Sequence, residues 1–270
     1  MDALEEMIQR MSATHTQRNL NDCSTNNVCP ICHNSGWEFL KDGGQGTVRE
    51  CVCGIRQKQI MNSRLSFANL PENFKNVRFN NFDTSVYEDV KSRNKAETAV
   101  KAVNHWLNNF EDMQERGMGL YLYSAAKGSG KTRMAASIAN ELIYEKKMQV
   151  KFATSLQILS EIKASWDNHT ESKLLGFLST TAILIIDDFG IEQPRDWIGE
   201  KFYQIVNNRY VDKKITIFTS NARLDLLEYD DRITNRIKER AFQIPFPEES
   251  VRDIISKRNM VELIKGIRGD

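Results

Sequence analysis

The stretch Ser124-Ala-Ala-Lys-Gly-Ser-Gly-Lys-Thr132 decides the fold of this chain. It joins the apolar run Gly119–Tyr123 to an amphipathic helical pattern that begins at Thr132. Glycine-rich turns in this position bind phosphates, because their backbone N–H groups can wrap an anion and the helix N-terminus adds positive potential. The sequence therefore predicts a P-loop and a nucleotide-binding α/β domain around it.

Each residue of the loop has an expected role. Lys131 can reach the β- and γ-phosphates, and the Thr132 hydroxyl can ligate Mg²⁺. Ala125 holds the place of the first glycine in GxxxxGK[ST], where alanine is the smallest change and is tolerated at negative φ. The residues predicted to contact ATP or ADP are Ala126, Lys127, Gly128, Ser129, Gly130, Lys131 and Thr132.

Two later strands supply polar groups. The apolar run Ala182-Ile-Leu-Ile-Ile186 ends in Asp187 and Asp188, so Asp187 is predicted to hold the magnesium and Asp188 to polarise the attacking water. The next apolar strand ends in Thr219-Ser220-Asn221, and the ligand side of a parallel sheet lies at such strand ends. Asn221 can therefore orient the lytic water; the alternative is a helix N-cap for residues 224–227.

All five cysteines lie in the first fifth of the chain. Cys29-Pro-Ile-Cys32 and Cys51-Val-Cys53 together offer four thiolates, the ligand set of a closed structural zinc site. The C-x-C half is tighter than the common C-x-x-C, so His33 or Cys23 is an alternative for one of its members. A redox C-x-x-C would need a thioredoxin-like context that the sequence lacks.

Strand patterns alternate with helical patterns from about residue 85 onward, which predicts a parallel sheet flanked by helices. We expect an N-terminal helical and zinc-binding domain over 1–70, a linker over 71–84 and the nucleotide-binding domain over 85–270. Net charge is +1, so bulk charge neither demands nor excludes a nucleic-acid partner. The longest apolar runs are too short to cross a bilayer and no secretory signal is recognisable, so we expect no membrane association and a cytoplasmic location.

With these residues in view, residues 71–260 resemble the AAA+ ATPases of the DnaC/DnaI replicative helicase loader family and its transposon relative IstB. Four features carry the resemblance: Gly-Leu-Tyr-Leu-Tyr before the P-loop, Leu-Ile-Ile-Asp-Asp-Phe-Gly at 184–190, Trp197 in the next helix, and Thr-Ser-Asn at 219–221. The resemblance implies an AAA+ fold and a weak, DNA- or partner-stimulated ATPase.

The resemblance also implies roles for residues outside the loop. Arg236, with Arg232 in reserve, would act as an arginine finger on the nucleotide of a neighbouring subunit, and Arg252 would act as the second sensor in its own subunit. Self-association through the AAA+ interface follows from this arrangement. The family's surface for single-stranded DNA corresponds to Lys163 and Trp166, and its N-terminal region binds the hexameric helicase.

The expected function is thus a bacterial or phage helicase loader that places a hexameric replicative helicase on single-stranded DNA at replication initiation. Catalysis would use Lys131, Asp187, Asp188 and Asn221, with Arg236 from the neighbour. Two alternatives remain open. One is an IstB-like transposition helper that acts on duplex DNA with a transposase, and the other is a nucleotide-binding adapter that inhibits the helicase.

Overall fold

A computed structural model describes residues 28–42, 45–167, 169–192 and 196–268 of the chain. It divides the chain into two compact units, Met1–Ile60 and Met61–Asp270. The spacing of Leu4, Met7, Ile8 and Met11 predicts an amphipathic segment over residues 1–14, which lies outside the described residues. Among the described helices, none is both long and apolar enough to pass through a membrane.

The first unit contains a small antiparallel sheet and the cysteines. Strands β1 (Trp37–Asp42) and β2 (Gln45–Glu50) pair with Trp37 opposite Glu50 and Phe39 opposite Val48. Helix α1 (Ile55–Ala68) follows in the chain. The buried cluster of this unit consists of Cys29, Cys32 and Cys51. Cysteine side chains thus occupy the place that aliphatic side chains take in a larger domain.

The second unit is built on a five-stranded parallel sheet of order β4-β5-β6-β3-β7. This confirms the predicted fold class, an α/β domain with helices on both faces of a parallel sheet. Its strands are β3 (Gly119–Tyr123), β4 (Val150–Thr154), β5 (Ile183–Asp187), β6 (Ile215–Ser220) and β7 (Ala241–Pro245). Its helices are α2 (Val90–Asn108), α3 (Phe110–Arg116), α4 (Lys131–Tyr144), α5 (Ser155–Asp167), α6 (Glu171–Thr180), α7 (Asp196–Val211), α8 (Asp231–Arg240) and α9 (Val251–Arg268).

Each strand contributes side chains to two apolar clusters, one on each face of the sheet, because successive side chains point to opposite faces. In β5, Ile183 and Ile185 join one apolar cluster with α2 and α4, whereas Leu184 and Ile186 join a second cluster with α5 to α8. All four side chains are buried. This double burial explains why β5 reads as an uninterrupted apolar run in the sequence.

The segment 71–84, expected to link two domains, packs within the second unit. Phe74, Phe79 and Phe82 contact the apolar cluster that includes α4. The buried Asn140 of α4 donates from Nδ2 to the carbonyls of Phe74 at 2.9 Å and Val77 at 2.8 Å. The segment is therefore held beside the helix that carries the P-loop lysine.

The amino ends of β5 and β6 are joined by a buried arginine. Arg209 is 1% exposed, and its guanidinium donates to carbonyls at the end of α6 and the start of β6. The acceptors are Leu178 O at 2.8 Å, Ser179 O at 3.3 Å, Thr181 O at 2.8 Å, Ile215 O at 2.5 Å and Thr216 Oγ1 at 2.8 Å. Burial lowers the Arg209 pKa to about 9. Every charged N–H in this contact set faces a neutral oxygen.

Several elements were not predicted from the sequence, among them β1, β2, α3, α6 and β7. β7 is an edge strand in which the successive residues Phe242 and Gln243 are both exposed and the last residue is Pro245, so it lacks the alternation that marks a strand. The sequence pattern, with Val100, Val103, Trp106 and Leu107 on one face, predicts a helix from Val86 to about Phe110. The helix α2 instead begins at Val90, where the Asp89 side chain caps it by accepting from Ser92 N.

Candidate nucleotide site and four-cysteine cluster

The predicted P-loop lies between β3 and α4. Gly128 and Gly130 have φ of +81° and +94°, in the region that favours glycine. A Cβ at Gly130 would lie 2.9 Å from Tyr87 Oη, so the space there also requires glycine. Gly130 is the N-cap of α4, and the N-terminus of this helix therefore opens into the loop.

Lys131 is 5% exposed and its ammonium lies inside the loop. Nζ donates to Ser124 O at 3.1 Å, Ala126 O at 3.0 Å and Ser129 Oγ at 3.2 Å. Burial lowers the Lys131 pKa, and the negative charges of Asp188, Glu248 and Asp187 oppose that lowering. A cation held by neutral acceptors is available to a phosphate that enters the loop.

The two predicted magnesium ligands lie together. Thr132 Oγ1 donates to Asp187 Oδ1 at 3.0 Å, across the gap between α4 and the end of β5. Asp187 is buried, and burial raises its pKa although bonds from Thr219 and Thr132 act in the other direction. A hydroxyl and a carboxylate side by side are the oxygen donors that Mg²⁺ takes in nucleotide sites, so these residues fit that ion.

Thr219 is a site residue that the sequence reasoning gave no role. Its hydroxyl donates to Asp187 Oδ1 at 2.5 Å and accepts from Asp188 N at 2.9 Å. Its backbone carbonyl accepts from Phe189 N at 2.8 Å. The parallel register of β5 and β6 brings this side chain beside both acids. The threonine thereby fixes the carboxylate of one aspartate and the backbone of the other.

Asp188 has a fixed backbone and a free carboxylate. Its φ is +54°, and its carbonyl accepts from Ser155 Oγ at 2.9 Å. In the described part of the chain, no hydrogen bond or ion pair involves its carboxylate oxygens. A carboxylate held in this way can accept a hydrogen bond from water beside the phosphates.

The loop opens into a cavity of about 540 Å³. The P-loop residues 127–133, Asp188 and Asn221 form its polar wall, and Phe74, Phe82 and Val86 contribute to an apolar wall. Arg252 also lines this cavity. The alternative for Asn221 as a helix cap does not match the structure, because the short helix Leu224–Leu226 has Arg223 at its N-cap.

The segment after β7 contacts the loop. Glu248 Oε2 accepts from Ala126 N at 3.0 Å and from Ser124 Oγ at 3.1 Å, and Val251 N donates to Gly128 O at 3.0 Å. No motif in the sequence pointed to Glu248. Its distance of 122 residues from Ala126 explains why local pattern could not reveal it.

The predicted arginine finger lies on α8, outside the cavity of its own chain. The Arg236 guanidinium lies 5.1 Å from the ring centre of Tyr203 and 5.6 Å from that of Tyr210. Arg232 is more exposed and pairs with Asp230 at 2.9 Å, and it also lies over Tyr203 at 4.7 Å. Arg232 and Tyr203 line a separate cleft of about 910 Å³. The structure therefore places the two candidate fingers on one surface.

The predicted DNA residues Lys163 and Trp166 lie together on α5, and a second aromatic residue, Trp197 of α7, joins them. Lys163 Nζ lies 5.3 Å from the ring centre of Trp197, and Trp166 packs edge-to-face on Trp197 at 5.3 Å. Trp166 is 42% exposed. Trp197, known from the sequence only as part of a motif, is thus a further member of this surface.

The four predicted zinc ligands are brought together. The Sγ atoms of Cys29, Cys32, Cys51 and Cys53 all lie within 4.8 Å of one another. Cys29 Sγ lies 3.9 Å from Cys51 Sγ, and Cys32 Sγ lies 3.5 Å from Cys53 Sγ. Zinc–sulfur bonds of about 2.3 Å at tetrahedral angles separate the sulfurs by roughly 3.8 Å. The cluster therefore fits a tetrahedral zinc ion.

Of the two alternative ligands, only His33 can be compared with this cluster. His33 is exposed and is not part of the group of sulfurs, and Cys23 lies outside the described residues. His33 instead occupies a turn in which its N–H donates to Cys29 O at 2.9 Å. The four sulfurs are free thiols with no disulfide among them.

Comparison with known proteins gives a consistent family. Residues 54–241 match the family model described as IstB-like ATP binding protein. The Bacillus subtilis protein named "Uncharacterized protein YqaM" is 27% identical over 196 residues, 70% of this chain and 59% of that protein. The replicative helicase loader DnaI of Bacillus subtilis is 34% identical over 115 residues, 42% of this chain and 36% of that protein. Both alignments span less than two thirds of the relative's own length.

Solved structures share the fold. The structure titled "Crystal structure of the DnaC helicase loader" superposes with a TM-score of 0.57 at 22% identity. It covers 65% of this chain and 99% of that chain. At this identity the likeness concerns the arrangement of strands and helices.

Proposed function

Because the chain belongs to the family of IstB-like ATP-binding proteins, we propose that it is an ATP-dependent loader that binds a hexameric replicative helicase and helps to place it on single-stranded DNA. The observation that carries the proposal is the presence, in one chain, of a nucleotide cavity and a separate four-cysteine module. The likeness to proteins named as replicative helicase loaders supports it.

The nucleotide chemistry follows from the site. The loop N–H groups and Lys131 bind the phosphates, and Thr132 and Asp187 hold Mg²⁺, which supplies positive charge to the phosphate oxygens when bound. The Asp188 carboxylate accepts a hydrogen bond from the attacking water, and Asn221 on the cavity wall orients it. Asp is shorter than the Glu common at this position, so we expect slow hydrolysis until a partner or DNA assembles the site.

Two arginines complete the site in this proposal. Arg252 reaches the γ-phosphate in its own subunit, since it lines the cavity. Arg236 acts on the nucleotide of a neighbouring copy, which requires self-association. Its guanidinium is held by Tyr203 and Tyr210, so little side-chain entropy is lost when it meets a phosphate.

Mixed assemblies test Arg236. Lys131→Ala removes nucleotide binding but keeps the finger, whereas Arg236→Ala keeps binding but lacks the finger. Mixing the two inactive variants restores part of the ATPase rate if the residue acts between subunits. If the mixture of Lys131→Ala with Arg236→Ala shows no ATPase recovery, but the mixture of Lys131→Ala with Arg232→Ala does, the finger role belongs to Arg232.

Single-stranded DNA is proposed to bind along α5 and the start of α7. Lys163 offers a cation for a phosphate, and the exposed ring of Trp166 offers a stacking face for a base. The Trp197 ring contacts both the Lys163 ammonium and the Trp166 ring. Trp166→Ala is expected to weaken binding of a fluorescent oligothymidine by about tenfold, as loss of one base stack does.

The four-cysteine module is the proposed helicase-docking region. A closed Cys₄ zinc site performs no catalysis, and its role is to hold β1 and β2 in a fixed shape. This assigns recognition of the helicase to the first unit and use of ATP to the second.

Co-purification tests the loader. Immobilised hexameric helicases are incubated with the wild-type chain, Cys29→Ser and Lys131→Ala, with and without Mg-ATP. We expect retention of wild type and of Lys131→Ala, and loss of Cys29→Ser. Retention by no helicase under any condition would falsify the helicase-loader proposal.

The family model favours a second candidate, a transposition helper of the IstB type that acts on duplex DNA with a transposase. Preference for duplex over single-stranded DNA in the same binding assay, without helicase retention, would select it. Helicase retention without DNA-stimulated phosphate release would instead indicate a helicase-inhibiting adapter.

A further inference from the structure

Two carbonyl groups of the P-loop are held from outside the loop. The Gly128 carbonyl accepts from Val251 N at 3.0 Å, and the Ser129 carbonyl accepts from Tyr87 Oη at 2.8 Å. The two donors come from opposite directions along the chain, one 42 residues before the loop and one at the start of α9.

A hydrogen bond that fixes a backbone carbonyl also fixes the direction of the N–H in the same peptide group. A trans peptide is planar, so its C=O and N–H point in opposite directions. The bonds from Val251 and Tyr87 therefore turn the N–H groups of Ser129 and Gly130 to the other side of the loop. In the described residues, neither N–H has a protein acceptor. Successive N–H groups in this arrangement form a concave anion site.

Tyr87 is itself fixed in place. It is 1% exposed, and its backbone carbonyl accepts from Arg93 Nη2 at 2.9 Å and Nε at 3.3 Å. Burial raises the pKa of the Tyr87 phenol to about 12, so the hydroxyl stays protonated and remains a donor at neutral pH. Its oxygen lies 2.9 Å from the position that a Cβ would occupy at Gly130, so the absence of a side chain at Gly130 leaves room for the phenol.

We propose that Tyr87 is a positioning residue of the nucleotide site: its hydroxyl holds the Ser129 carbonyl so that the Gly130 N–H is directed at a bound phosphate. The inference rests on nucleotide binding at this cavity and is independent of any helicase. Without the hydroxyl, the Ser129–Gly130 peptide can rotate. Part of the binding free energy of the nucleotide is then spent on ordering this peptide.

Tyr87→Phe tests the inference because it removes the oxygen and keeps the ring. In the full-length chain with Mg²⁺, we expect the Kd for ADP to rise about five- to tenfold, the range that the loss of one hydrogen bond gives. Tyr144→Phe is the matched control: its ring packs under Arg78 and does not line the cavity, so its Kd should stay within twofold of wild type.

A second variant keeps the test decisive if Tyr87→Phe folds poorly. Val251 is the first residue of α9, where proline is tolerated, so Val251→Pro removes the N–H that holds the Gly128 carbonyl. It should weaken ADP binding by a similar factor.

For ATP hydrolysis, Tyr87→Phe should raise KM and leave kcat within about twofold, because the hydroxyl does not contact Asp188 or Asn221. A substitution that merely destabilised the whole site would lower kcat as well. ADP affinity equal to wild type in folded Tyr87→Phe, or in Val251→Pro if the first variant does not fold, overturns the inference, whatever the helicase assay gives.

Discussion

The two units of the chain stabilise their folds by different means. Among the described residues of the first, the apolar cluster consists of three buried cysteines and a few partly buried neighbours. In the second, two large clusters lie on opposite faces of a five-stranded sheet. Metal binding and folding are coupled where apolar burial is small, whereas a large core folds before it binds anything. The difference suggests that each unit can be disabled without loss of the other.

The largest expected effect tests the second unit. Lys131→Ala should reduce ATP and ADP affinity by more than about a hundredfold, because a charged phosphate contact and its hydrogen bonds are lost. Equilibrium binding of a fluorescent ADP measures this. Zinc content should remain unchanged, and Lys146→Ala at the surface is the control. Wild-type affinity in Lys131→Ala would contradict the assigned site.

The complementary change tests the first unit. Cys29→Ser should lose the bound zinc, expected at about one ion per chain, because three thiolates hold the ion far less tightly than four. Elemental analysis after dialysis measures it, together with ADP affinity, which should stay within twofold. Cys23→Ser should retain its zinc. If Cys23→Ser loses its zinc and Cys53→Ser keeps it, Cys23 takes the place of Cys53 in the ligand set.

A smaller effect is expected where the segment 71–84 meets α4. Asn140→Ala leaves the carbonyls of Phe74 and Val77 without a donor, which should lower the free energy of unfolding by about 1–3 kcal/mol. Urea unfolding of the second unit measures it, with the exposed Asn104→Ala as control. Equal stability of both variants would show that the segment is held by its phenylalanines alone.

The smallest effect concerns pH. Burial raises the pKa of Glu192, whose Oε2 accepts from Ser155 Oγ at 2.8 Å. The folded state then keeps a proton that the unfolded chain has already lost, so this group contributes less stability as pH rises from the ordinary glutamate pKa through the raised one. Glu192→Gln should be the more stable protein at pH 7, and its advantage in Tm should vanish as pH falls below that window. A difference in Tm that is the same at every pH would refute this.

The sequence was most informative where function requires local pattern. The P-loop, the strand that ends in Asp187 and the cysteine pairs are each a short run of fixed residue types, so their roles could be predicted from residue type and spacing. The helical spacing after Thr132 likewise predicts that Met134, Ala135, Ile138 and Leu142 face inward, and all four are buried in α4.

Contacts between distant segments could not be predicted in this way. Thr219 binds Asp187 only because β5 and β6 are neighbours in the sheet, and Tyr87 reaches Ser129 only because 71–89 packs against the core. A single threonine or tyrosine in a sequence carries no sign of such a bond. The facing residues Phe39 and Val48 likewise gave no strand signal, because both are exposed and the alternation that marks a strand arises where one face of the sheet is buried.

The hydrogen bonds that Arg209 makes at the amino ends of β5 and β6 do not weaken when the pH falls. Its partners are backbone carbonyls and one hydroxyl, none of which gains a proton in the physiological range, and the nearby end of α6 directs the negative side of its dipole at the guanidinium. At the opposite edge of the sheet, burial raises the pKa of the Asp187 carboxylate. Mild acidification should therefore protonate Asp187 and weaken nucleotide binding at the proposed site before it affects the Arg209 contacts, and binding lost in this way should return when the acid is neutralised.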